Sequence, residues 1–108
     1  MKNSIVPEEL SKIHGSRAFM LYSSCLQEFQ QEFKQLLSLL SDKNNLAQSR
    51  LNLHNMLGVA RMMFNDQLCS KILTVQQNLK NGKQVMHSDE LNWISNEIEH
   101  QIAIVQNK

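Results

Sequence analysis

Between Phe19 and Leu40 the apolar side chains keep a single rhythm. Phe19, Tyr22, Leu26, Phe29, Phe33, Leu36 and Leu40 are separated by 3, 4, 3, 4, 3 and 4 residues. That spacing draws one stripe down a helix of about six turns. A stripe this long must be buried against other helices or against another chain. Few residues interrupt helix formation, since the 108-residue chain has 3 glycines and 1 proline. No segment alternates apolar and polar residues as a half-buried strand would.

Three more seams follow. A turn at Ser41 to Asn45, rich in Asn, Asp and Ser, precedes a helix expected from about Leu46 to Phe64. Leu46, Leu53, Met56, Ala60, Met63 and Phe64 fall on one side of that helix. Asn65 is expected as its left-handed stop and Asp66 as the cap of the next helix. That next seam is Leu68, Ile72, Val75 and Leu79, closed by Gly82. Ser88 should cap a last helix that carries Asp89 and Glu90 in its first turn. Its seam is Leu91, Ile94, Ile98, Gln101 or Ile102, and Val105.

Before all these, Pro7 to His14 reads as a short helix with Pro7 in its first turn, ended by Gly15. The expected fold is all-α: an antiparallel up-and-down four-helix bundle over 16–108, with a short N-terminal helix in 1–15 lidding one end. It reads as one domain.

Composition narrows the function classes. Eleven basic and 10 acidic residues give a formal charge of +1, so charge offers no argument for nucleic acid or an anionic membrane. Cys25 and Cys69 are too few for a disulfide scaffold and fall within apolar helical patterns. A cytoplasmic setting is expected, with neither a signal peptide nor a membrane span. None of the His-x-x-x-His, Glu-x-x-His or Cys-x-x-Cys spacings is expected to make a metal site, and no glycine-rich loop points to a nucleotide.

One stretch does point to chemistry: "RLNLHNMLGVARMM", Arg50 to Met63. At 100° per residue, Ala47, Arg50, His54, Gly58, Arg61 and Asn65 share a narrow strip. The strip lies opposite Met56 and Met63, so His54 should face water. A glycine within a helix costs roughly 1 kcal/mol relative to alanine, yet Gly58 stands one turn beyond the histidine. A neutral imidazole, with an unperturbed pKa of about 6.5, is a nucleophile near neutral pH. Nearby cations would stabilise a phosphoryl group placed on it. A missing side chain one turn away would admit another protein. Arg50 and Arg61 also read as ordinary solvated charges. Leu51, Leu57 and Met62 flank the strip, either sealing the helix or forming an apolar docking patch.

The run from His54 through Met62 resembles the signature of the histidine-containing phosphotransfer (HPt) domain. That pattern is His, any residue, an apolar residue, Lys, Gly, then small residues. Nearly the whole chain fits the helix order, and the HPt modules at the C-termini of bacterial hybrid sensor kinases are most similar. The resemblance implies that His54 is the phosphorylated residue and that Gly58 keeps it accessible. It also implies that Gln76 is a polar neighbour from the following helix. Function would be that of a monomeric phosphocarrier between two response-regulator receiver domains, rather than a free-standing enzyme. It would need no cofactor of its own, because the Mg²⁺ belongs to the receiver. One departure is plain. The family's lysine, three residues after the histidine, is Leu57 here, so Arg61 or Arg50 is expected to supply the cation. The alternatives are a helical interaction module that is not phosphorylated, and a structural bundle that dimerises.

Overall fold

A computed structural model describes residues 6–42 and 45–106. Its helices are α1 (Glu8–His14), α2 (Ala18–Leu40), α3 (Leu46–Met62), α4 (Asp66–Lys80) and α5 (Asp89–Gln106), with a 3₁₀ turn at Gly15–Arg17. No strand occurs among the described residues. Lys43 and Asn44 of the expected turn, and residues 1–5 of the expected lid segment, lie outside them.

α1 begins beside Pro7 rather than through it. Pro7 is the extended residue before the helix, and its carbonyl accepts the N–H groups of Leu10 and Ser11 at 3.1 and 3.2 Å. Glu8 and Glu9 in the first turn and Lys12 and His14 in the last complement the helix dipole. Gly15, at φ 57°, takes the left-handed turn that redirects the chain into α2.

The α2 stripe is buried from Tyr22 to Leu36, with Leu26, Phe29 and Phe33 between them. Its start departs from expectation. A 3–4 repeat run backwards from Tyr22 permits position 18 or 19. Ala18 takes the inward place at 3% exposure, whereas Phe19 is 37% exposed. α1 packs against α2, and Ala18 joins Leu10 of α1 in the buried core.

The α3 seam also changes at both ends. Leu46 is exposed, and Phe64 lies beyond the helix and is exposed as well. Phe64, not Asn65, is the left-handed residue, with φ 56°. Its N–H donates to the Arg61 carbonyl at 3.0 Å, and the Asn65 N–H to that of Ala60 at 3.2 Å. These two bonds form a Schellman closure with phenylalanine in the usual glycine seat. Asn65 is instead the cap of α4, its Oδ1 accepting the Leu68 N–H at 3.0 Å. Asp66 is then the first helical residue, where its charge favours the dipole.

α4 ends as the sequence indicates. Gly82, at φ 77°, donates to Leu79 and Lys83 donates to Asn78, which is the same closure with glycine in place. Ser88 Oγ caps α5 by accepting the Leu91 N–H at 3.2 Å. Along α5, Gln101 rather than Ile102 takes the buried position. It can do so because it is bonded on both sides. Tyr22 donates its hydroxyl to Gln101 Oε1, and Gln101 Nε2 donates to Glu97. Burial, reinforced by Glu97 and Cys25, pushes the Tyr22 phenol well above its ordinary range.

α2 packs on α3 and α5, and α4 packs on the same two, so the four long helices enclose one core. The molecule measures 45 × 24 × 19 Å. A helix of 23 residues is about 35 Å long, so α2 lies along the long dimension. No helix among the described residues is long and apolar enough to cross a membrane.

Candidate functional site

Burial along α3 separates two faces. Ser49, Asn52, Leu53, Met56, Leu57, Val59 and Ala60 point inward. Arg50, Leu51, His54, Asn55, Gly58, Arg61 and Met62 are exposed. His54 is therefore on the wet side of the helix, as its position on the strip requires. Asn52, two residues earlier, is turned into the α2 side, where its Nδ2 donates to Glu32 at 2.5 Å.

His54 stands in a groove of about 560 Å³ between α3 and α4. Arg50, Leu51 and His54 line it from α3, and Leu73, Gln76, Gln77 and Lys80 from α4. The structure thus brings Gln76 to the same groove as the histidine. It brings Arg50 there too, but not Arg61. Arg61 is exposed further along α3, where its charge acts on Cys69 of α4.

Leu73, Gln77 and Lys80 are the lining residues that helical periodicity along α3 did not reveal, and Lys80 is the charged one. It belongs to the last turn of α4, and a strip drawn on one helix says nothing about which cations the next helix adds. The signal that would have found it is the short link between α3 and α4, which sets the two helices side by side. Among the described residues no carboxylate lines the groove. Among the described residues neither Arg50 nor Lys80 forms an ion pair; the pair that is present joins Lys12 to Glu8 at 3.8 Å.

Gly58 is helical and exposed, and a Cβ built on it would meet nothing within 4 Å. It is not a close-packing point between helices. Among the described residues nothing asks for glycine there.

Leu57 does not belong to a docking surface. It is 5% exposed and packs in the core, because its place on the helix turns it toward the bundle. Position 57 therefore supplies neither a cation nor an exposed apolar edge. Leu51 and Met62 are exposed, at 53% and 59%. They line different hollows. Leu51 borders the histidine groove, and Met62 joins Leu10, Ile13, His14, Leu21, Cys25 and Phe64 around an apolar hollow of about 290 Å³.

The remaining candidates carry no comparable arrangement. Cys25 and Cys69 are free thiols, pushed up from the ordinary thiol range chiefly by burial. Raised thiols hold less of the nucleophilic thiolate. Glu97 and His100 do stand at a Glu-x-x-His spacing on α5, but Glu97 accepts a hydrogen bond from Gln101. Among the described residues no group of three or more His, Cys, Asp or Glu side chains is placed to hold a metal.

What the arrangement offers chemically is an accessible imidazole, two cations without an ion pair among the described residues, two side-chain amides and an open approach past Gly58. No protein-family model, characterised protein or solved structure matches the chain.

Proposed function

We propose that this chain is a histidine phosphocarrier of the HPt kind, acting in a bacterial two-component phosphorelay within the cytoplasm, alone or as part of a hybrid sensor kinase. One observation carries the reading. Gly58 stands one turn from His54 with open space where its side chain would be, so its cost to the helix has no return among the described residues. The open space has a use if another protein must reach the imidazole. An antiparallel up-and-down course suits this role. It is supported by the short links and by the contacts of α2 and α4 with both α3 and α5.

In this reading a ring nitrogen of His54 attacks the phosphorus of a receiver's aspartyl phosphate. A nitrogen–phosphorus bond forms as the bond from phosphorus to the carboxylate oxygen breaks, and aspartate leaves as its carboxylate. The second receiver reverses the exchange with its own aspartate. The Mg²⁺ and the acidic residues of the reaction belong to the receiver. This chain contributes the nucleophile, a docking face and the local charge. Leu51 beside the histidine and Met62 further along α3 are exposed apolar residues of that face.

The test is transfer from a phosphorylated receiver in the presence of Mg²⁺. Acid-labile, base-stable phosphate should appear on the wild-type chain and not on His54→Gln. A second reading is favoured by Leu57, which places a buried apolar residue where the HPt pattern has lysine. Under that reading the chain binds a receiver without being phosphorylated. Receiver binding with no label on His54 would select it.

A further inference from the structure

Each cation near His54 raises the same question: which anion is it there to meet? The net charge of the chain is only +1, so the positive groove is a local feature. Arg50 and Lys80 enter it from two different helices. Each is exposed, neither has an acidic partner among the described residues, and no carboxylate lines the groove to neutralise them. Gln76 and Gln77 add amide N–H donors. Leu51 and Leu73 form its apolar rim.

From this arrangement we infer that Arg50 and Lys80 form a two-helix oxyanion site that holds the phosphoryl group beside His54. The inference rests on reading His54 as the phosphoryl acceptor. It assigns the cation to α4 as well as α3, and it removes Arg61 from the role. A phosphoryl group presents several oxygens, so cations on two sides of the groove hold it better than two on one helix face. Lys80 suits the task because its long flexible arm starts at a helix end. There the C-terminal carbonyls favour a cation. Arginine and lysine divide the work by geometry: the guanidinium offers a planar fork and the ammonium a movable point charge.

Inorganic phosphate titrated into the ¹⁵N-labelled chain tests the site without any receiver, with the His54 ring and the Arg50 side chain followed by NMR. Phosphate should shift both sets of signals saturably. Lys80→Ala should weaken the apparent affinity by about fivefold or more, the loss expected for one charge-assisted contact. Lys80→Arg should bring it back to within about twofold, and Arg61→Ala should match wild type. Added salt should weaken all of these, as screening of an exposed charge requires. The proposal is overturned if phosphate leaves the His54 ring signals unmoved in the wild type, or if Lys80→Ala binds as wild type does. Equal losses in Lys80→Ala and Arg61→Ala would also overturn it, since only a diffuse charge effect would remain. Its failure is separable from failure of the carrier reading. Receiver-dependent label on His54 with no loss of phosphate binding in Lys80→Ala would sink the oxyanion site alone. Phosphate binding that needs Lys80, with no transfer from receivers, would sink the carrier reading alone.

Discussion

Gly58 and Gly82 have the same empty space around them and opposite reasons to be glycine. Neither would bring a Cβ within 4 Å of another group. Gly82 sits at φ 77°, where it closes α4, and a side chain there would strain the backbone by about 1–2 kcal/mol. Gly58 lies within α3 in ordinary helical conformation, where alanine would be better by about 1 kcal/mol. Phe64 sharpens the contrast. The chain accepts a phenylalanine in a left-handed seat at the end of α3, where glycine would relieve strain, yet it keeps glycine in mid-helix where none is required. Backbone conformation explains Gly82. At Gly58 no described residue occupies the space a side chain would take, and the exposed group one turn away is His54.

The largest expected effect is on the histidine itself. His54→Gln should lower receiver-dependent labelling by at least about a hundredfold, because the nucleophile is gone. Circular dichroism and melting temperature should stay at wild-type values, since His54 is exposed. Gly58→Leu comes next. It should slow transfer about tenfold or more by holding the partner's aspartate away from the ring, while its far-ultraviolet circular dichroism stays helical. Transfer at the wild-type rate would break the steric account of Gly58. Smaller effects separate the two glycines by stability alone. In denaturant unfolding, Gly82→Ala should lose about 1–2 kcal/mol. Gly58→Ala should gain about 1 kcal/mol. Two losses of similar size would mean that Gly58 has a structural role after all.

Much of the fold is legible in the chain because amphipathic helices announce themselves by spacing. The stripe from Tyr22 to Leu36 and the Ser88 cap both follow from local pattern. Errors collect where two local rules compete. Phe19 and Ala18 both satisfy the 3–4 repeat, and the choice between them is made by tertiary packing, which the repeat does not encode. Phe64 and Asn65 both lie at a helix junction; asparagine is the better left-handed residue, but it is also the better cap, and capping α4 takes it. The candidate site follows the same division. The outward placement of His54 is readable from α3 alone. That Leu57 is buried while Leu51 and Met62 are exposed depends on how neighbouring helices cover the flanks of the strip. That Lys80 joins the groove and Arg61 does not depends on α4, which helical projection of α3 leaves out.

The measurement that bears most directly on the account is transfer from a phosphorylated receiver to the wild-type chain, run beside His54→Gln and Gly58→Leu with all three shown to be folded. Acid-labile phosphate on the wild type, none on His54→Gln and slowed labelling of Gly58→Leu is the predicted result. Label that persists on His54→Gln, or a wild-type chain that binds a phosphorylated receiver and takes no phosphate from it, would contradict the assignment of His54 as the carrier.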